Sequence, residues 1–322
     1  MTPKENLLRT IWQNNPGWVP NNLENVVWIF SPVVERSYEI GYDDFGCHWS
    51  LEQGAEGGTY PTPGKPVITD LSNWKSQLKI PDLAAIDWEP IHRKVAEVDR
   101  KKFLIQGFVE MGLFERSYML LGMEEALMAY IDQPKLMAEL IAEIAAYKIR
   151  LIQKFNAEIK PDMIWYGDDW GTQDNLFLPP GIWRKIIKPH TQRIYNCMKE
   201  NDIIINQHSC GKIEAIFEDL VEMGANIWNP CQPTNDLAKL KKTFGKKITF
   251  CGGIDSQFVL GRKDVTPGEV RAEVRKRIDQ LAANGGYIAA PSHDVPYRQE
   301  LLDAMNDEIE NYGRFFYQKQ SG

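Results

Sequence analysis

The feature that most constrains this chain is a rhythm. From about residue 100 onward, short apolar runs alternate with segments whose apolar residues recur every three or four positions. The runs are "FLIQGFV" (103–109), "DMIWYG" (162–167), "DIIIN" (202–206), "NIWN" (226–229), "KITFCG" (247–252) and "GGYIAA" (285–290). Strands alternating with helices at this spacing make a parallel sheet covered by helices. Several such units in series, with no GxGxxG at the first strand–helix turn, favour a closed α/β (β/α)8 TIM barrel over a doubly wound sheet.

The helices carry their own punctuation. Thr2-Pro3-Lys4-Glu5 and Thr266-Pro267-Gly268-Glu269 both combine a capping box with proline at the first helical position. They predict helices ending near Gln13 and Ala283. Further helices are predicted over 134–155, 179–201, 211–224, 236–245 and 297–317, and "VVWIF" (26–30) adds an early strand. Residues 41–66 are rich in glycine, proline and polar side chains and lack a helical period, which predicts a long excursion over the barrel mouth. No repeat, low-complexity tract or linker interrupts the pattern, so residues 1–322 are read as a single barrel domain with this excursion.

Composition narrows the function. A net charge of −7 gives no electrostatic footprint for nucleic acid. No apolar stretch approaches the roughly 18 residues that a membrane span needs. The start of the chain lacks the basic-then-apolar layout of a signal peptide. Five cysteines without framework spacing argue against a disulfide scaffold. The expectation is a cytoplasmic protein with reduced thiols.

The polar residues fall where a barrel keeps its chemistry, at the C-terminal ends of strands. Glu110 follows the first run, Asp168 and Asp169 the second, His208 and Cys210 the third, and Asn229 and Cys231 the fourth. Cys251 and Asp255 lie at or after the fifth, and His293 and Asp294 follow the last. His208 and Cys210, two apart on an extended segment, share a face. An imidazole beside a thiolate suits Zn2+, which in catalytic sites takes three protein ligands and leaves a position open. His293 is the first choice for the third ligand and Cys251 the second. One of Asp168 and Asp169 is expected to face the cavity, orienting a histidine or donating a proton; the other points elsewhere because neighbouring residues diverge. The stretch Asn206–Gly211 also lies one residue from D-x-H-x-x-G, a pattern that presents a histidine to cobalt, but that pattern belongs to a separate domain not evident here.

Assembled, these residues resemble the uroporphyrinogen decarboxylase superfamily, and within it the corrinoid-dependent methyltransferases. The likeness rests on "DDFGCHW", "YGDDWGTQDNLFLPPGIWRKIIKP", "HSCG", "CGGID" and "GGYIAAPSHDVP" and covers most of the chain. The arginine-rich N-terminal segment of the decarboxylases is missing: Arg9 and Arg36 stand alone. The resemblance implies a His-x-Cys pair holding zinc, matched by His208 and Cys210. Where the coenzyme M methyltransferases carry a later cysteine, this chain has His293. It further implies transfer of a methyl group from a small methoxylated aromatic substrate to the cobalamin or other corrinoid of a separate protein, as in O-demethylases of anaerobic bacteria. In that scheme Asp168, Asp169 or Glu110 protonates the departing oxygen, and Tyr42, Phe45, Trp49, Trp165, Trp170 and Gln173 hold the ring. The alternatives are methyl transfer from a methyl-corrinoid to a thiol or tetrahydrofolate, a metal-free decarboxylase, and a non-catalytic corrinoid-binding role.

Overall fold

The computed structural model describes residues 1–52, 58–293 and 295–319. Part of the predicted excursion, 53–57, and Asp294 therefore lie outside the described residues. Ten strands are present: β1 (Val26–Phe30), β2 (Gly41–Tyr42), β3 (His48–Ser50), β4 (Tyr60–Pro61), β5 (Leu104–Val109), β6 (Met163–Gly167), β7 (Ile204–His208), β8 (Ile227–Asn229), β9 (Thr249–Ile254) and β10 (Tyr287–Pro291). Seven of them form one parallel sheet in the order β1-β5-β6-β7-β8-β9-β10. The segment leading into β1 bonds back to β10: Asn22 N–H donates to the Ala289 carbonyl at 2.8 Å, and Ala289 N–H to Pro20 at 3.0 Å. The sheet thus curls round and its two edges meet, giving the TIM barrel expected from the rhythm, with a bridging segment where an eighth strand would run.

The near-continuous apolar character of these strands follows from their being covered on both faces. Alternation then divides the core in two. Ile105, Ile164, Ile205, Trp228, Phe250 and Tyr287 face the helical layer. Their neighbours Leu104, Met163, Ile204, Ile227, Cys251 and Ile288 fill the barrel interior. A register slip of one residue would exchange the two sets, so the pattern specifies which polar residues point inward. The N-terminal helix, Pro3–Ile11, with the predicted capping box of Thr2 and Glu5, adds Leu7 and Ile11 to the interior cluster. Thr249 donates to the carbonyl of Ile11 at 3.1 Å, tying this helix to the start of β9.

One boundary matters for the site. The run "DIIIN" predicts a strand over 202–206, whereas β7 runs Ile204–His208. Asp202 adopts a positive φ of 56° in the turn after the preceding helix, which delays the strand. Pairing of His208 with both Gly167 and Asn229 then extends it. His208 is consequently a strand residue, on the inward face it shares with Ile204 and Asn206.

The excursion is a small antiparallel sheet, β2-β3-β4. Asp43 locks it to the barrel. Its carboxylate accepts from Phe45 N–H (3.0 Å), Cys47 N–H (2.8 Å) and the Trp49 indole (3.1 Å), and pairs with Arg116 at 2.7 Å. Arg116 belongs to the helix Leu113–Leu121, and both charged groups are fully buried. Next to it Lys148 pairs with Glu35 and donates to the Glu110 carbonyl at 2.6 Å.

Candidate metal centre

The C-terminal ends of the barrel strands enclose a cavity of about 480 Å3. Its wall is an aromatic series contributed by successive inward positions. Phe108 stacks on Trp165 with ring centres 4.3 Å apart, Trp28 leans on Phe108 at 5.8 Å, and Trp165 meets the His208 ring at 4.4 Å. Phe30 continues the series at the rim, 4.7 Å from Phe108.

At the β6–β7 side of this cavity three donors converge. His208 Nε2 lies 3.5 Å from Cys210 Sγ and 3.5 Å from Asp169 Oδ1. Among the described residues these three form a group whose ligand atoms all fall within 4.8 Å of one another. A tetrahedral zinc ion bound at about 2.0–2.3 Å would set neighbouring nitrogen, sulfur and oxygen donors about 3.4–3.6 Å apart. The observed spacing fits.

Hydrogen bonding fits as well. Asn229 Oδ1 lies 2.8 Å from His208 Nδ1 and accepts from the Trp165 indole at 3.3 Å. An indole N–H can only donate, so the amide atom facing it is oxygen. His208 Nδ1 must then carry a proton, so in the neutral ring it is Nε2 that presents a lone pair toward Cys210 and Asp169.

The electrostatics call for a cation. Burial pushes the Cys210 thiol well above its usual range, and the through-space charges acting on it, Asp169 and Glu115, are both carboxylates. Burial likewise raises Glu115, with Asp169 and Asp168 adding to the effect. A buried thiol and a buried carboxyl that are both pushed toward their protonated forms beside further carboxylates are surroundings in which a divalent ion would favour ionisation.

Asp168 and Asp169 diverge as neighbours should. Asp168 is fully buried, accepting from Phe114 N–H (3.2 Å), Glu115 N–H (3.0 Å) and the Trp170 indole (2.9 Å). It caps the helix Leu113–Leu121 at the end where the dipole favours a carboxylate, and it does not line the cavity. Asp169 turns the other way and accepts from Cys210 N–H at 2.7 Å, which draws the β6 and β7 loops together. Gly171 and Gly211 permit the approach: a Cβ on Gly211 would fall 2.2 Å from Gly171 backbone, and Gly211 has φ +81°.

The other expected residues are placed as follows. Glu110, at the end of β5, lines the same cavity as the donor trio, with Tyr38 donating to it at 3.4 Å. Burial, and then the charge of Glu35, push its carboxyl up to about 7. His293 lines the same cavity and an adjoining one of about 330 Å3, where Gln173 lies, but it is not in the donor group. Cys251 is fully buried one step inside the barrel, its sulfur accepting from Asn229 Nδ2 at 3.4 Å. The amide of Asn229 therefore stands between Cys251 and His208. Asp169, and neither His293 nor Cys251, completes the donor group that surrounds His208 and Cys210.

Trp165 is on the cavity wall, but Phe45, Trp49 and Trp170 are core residues. Phe45 packs edge-on against Tyr147 and under the Arg116 guanidinium, and Trp170 against Trp183. Tyr42 is exposed on β2 against His48. Among its described residues the excursion contributes none to the lining of the main cavity; the stretch just before it does, through Phe30, Arg36 and Tyr38. Sequence reading passed over Glu115, Phe108 and Trp28. Period two would have found the aromatic pair, since both occupy the inward face that alternation assigns.

The family model described as uroporphyrinogen decarboxylase matches residues 42–310. The chain belongs to the uroporphyrinogen decarboxylase family. A 152-residue stretch is 25% identical to the methylcobamide:CoM methyltransferase MtaA of Methanosarcina barkeri, covering 47% of this chain and 43% of that protein. The match thus spans under half of the relative's length. A solved methyltransferase from Methanosarcina mazei has the same fold, with a TM-score of 0.72 over 97% of this chain and 99% of its own, at 16% identity. Both similar proteins of this family are methyltransferases, the branch that the motifs resemble.

Proposed function

We propose that this uroporphyrinogen decarboxylase family member is a zinc-dependent methyltransferase working with a separate corrinoid protein. On this reading it moves a methyl group from a small methoxylated aromatic substrate to the corrinoid cobalt. The observation that carries the reading is the donor trio of Asp169, His208 and Cys210, with His208 Nδ1 held by Asn229 and Nε2 turned to the other two, opening onto an aromatic wall. Zinc bound by these three residues would supply Lewis acidity to the departing oxygen, which is a poor leaving group at neutral pH.

The chain's own residues do the rest. Phe108, Trp165 and Trp28 offer a flat surface for a ring, and offset or edge contacts of this kind contribute about 0.5–1.5 kcal/mol per aromatic pair beyond burial. Holding the ring fixes the methyl carbon for in-line attack by reduced cobalt, a strong nucleophile that the enzyme need not provide. Glu110, raised to about 7 by burial, keeps much of its proton at neutral pH and can pass it to the phenolate oxygen of the product. The partner corrinoid is a co-substrate that meets the methyl donor at the cavity opening.

A second reading, methyl transfer from a methyl-corrinoid onto a thiol, draws support from the activity for which the M. barkeri relative is named. One assay separates them. Purified protein loaded with zinc is mixed with cob(I)alamin and a panel of methoxybenzenes and methoxybenzoates, and the methylcobalamin spectrum is followed. Growth of that spectrum supports demethylation. Its decay on adding thiols to methylcobalamin, with no growth on any methoxyarene, would replace the first reading with the second.

A further inference from the structure

We infer that Asn229 is the positioning residue that sets the tautomer of His208 and so decides whether the site can take a metal. The inference rests on the metal-site reading only for its consequence; the tautomer itself is a property of the protein without metal.

Asn229 ends β8 at the register position opposite His208. Each polar atom of its amide has a partner of definite kind. Oδ1 receives the indole proton of Trp165 at 3.3 Å and faces His208 Nδ1 at 2.8 Å. Nδ2 points to Cys251 Sγ at 3.4 Å. Turning the amide over would set its NH2 against the indole N–H, two donors facing each other with no acceptor between them. The indole therefore orients the amide, and the amide orients the imidazole proton. Trp165 is in turn held between Phe108 and the His208 ring. The aromatic wall and the metal ligand are thus joined through one side chain.

The alternative tautomer would place a proton on Nε2, aimed at Cys210 and Asp169, where it would hydrogen-bond to them and occupy the nitrogen a metal needs. Neutral imidazole in water favours that Nε2–H form unless a partner intervenes. A carboxylate or carbonyl acceptor behind a ligating histidine is the usual intervention, and removing it weakens metal binding about 10–100-fold. Here a neutral amide serves, so His208 gains orientation without another negative charge beside an already acidic cluster.

The test uses the full chain stripped of metal. Nitrogen-15 spectra of the imidazoles, with the His208 signals identified by comparison with His208→Gln, should show Nδ1 protonated and Nε2 bare. In Asn229→Leu, which removes the acceptor at similar volume, the Nε2–H form should become the major one, and zinc affinity measured by chelator competition should fall 10–100-fold. Asn229→Asp, which keeps an oxygen toward both the indole and the imidazole, should retain the wild-type tautomer and bind zinc within about threefold of wild type. An Nε2–H form in the wild-type apoprotein overturns the inference. So does an Asn229→Leu protein with the wild-type tautomer and zinc affinity. Should Asn229→Leu fail to fold, the wild-type spectrum and Asn229→Asp decide alone. A correct tautomer in a protein that never binds zinc would sink the proposed function and leave this assignment standing.

Discussion

Two polar regions flank the same barrel mouth and differ in one respect. Behind Glu110, the charges of Asp43, Arg116, Glu35 and Lys148 are buried and already matched, cation to anion. Around His208, the ionisable neighbours are Cys210, Asp169, Asp168 and Glu115, and the charges acting on Cys210 and Glu115 are themselves carboxylates. The first region is finished; it fastens the excursion and the long helix Pro134–Ile159 to the sheet. Among the described residues, no lysine or arginine pairs with the carboxylates of the second, where His208 alone lies within ion-pair distance of Asp169. Buried charge is costly unless paired, so a matched cluster reads as scaffold and an unmatched one as a place for something to bind.

That contrast can be broken by experiment. The largest effect should come from His208→Ala or Cys210→Ala: bound zinc, measured by metal analysis after gel filtration, should drop from near one per chain to background, with methyl transfer reduced at least about 10³-fold. Retained zinc in both variants would mean the unmatched cluster is not the binding site. Next in size, Arg116→Met should leave Asp43 buried without its partner and cost about 3–5 kcal/mol of stability in urea unfolding. The surviving folded protein should still bind zinc. If stability were unchanged and zinc binding lost, the two regions would have exchanged roles.

A subtler effect belongs to Glu110. Its carboxyl is raised to about 7, so the native state holds a proton that the unfolded chain has released. Stability should therefore fall as pH rises from the ordinary carboxylate range through 7, by at most roughly 3.5 kcal/mol at about 1.4 kcal/mol per pKa unit. Glu110→Gln should flatten that slope, and equal slopes in the two proteins would refute the assignment. The smallest changes should be in His293→Ala and Cys251→Ala, with zinc affinity within about threefold of wild type, whereas Asp169→Ala should lower it at least tenfold. A loss in His293→Ala as large as in Asp169→Ala would restore His293 to the ligand set.

How much of this was legible beforehand varies by residue. The six apolar runs after residue 100 all became strands, and both Thr-Pro-x-Glu boxes became helix starts, because these signals act over a few residues. The closeness of His208 and Cys210 was readable from their two-residue spacing together with their place at the end of a barrel strand. The loss of Phe45, Trp49 and Trp170 to the core was not. An aromatic residue in a polar segment looks available until the Asp43–Arg116 pair, 73 positions apart, folds the segment inward.

Local pattern by itself determined the barrel, the face on which each strand residue lies and the ends at which polar groups gather, since strand period and helix period are properties of adjacent residues. Only the tertiary structure shows which group lies beside His208 and Cys210 and which side chain faces His208 Nδ1. Asp169 and His293 follow strands of one barrel and Cys251 lies within another, and their separations depend on how those strands stagger and how their loops turn. Asn229, far along the chain from both Trp165 and His208, could acquire its role only when β6, β7 and β8 came side by side.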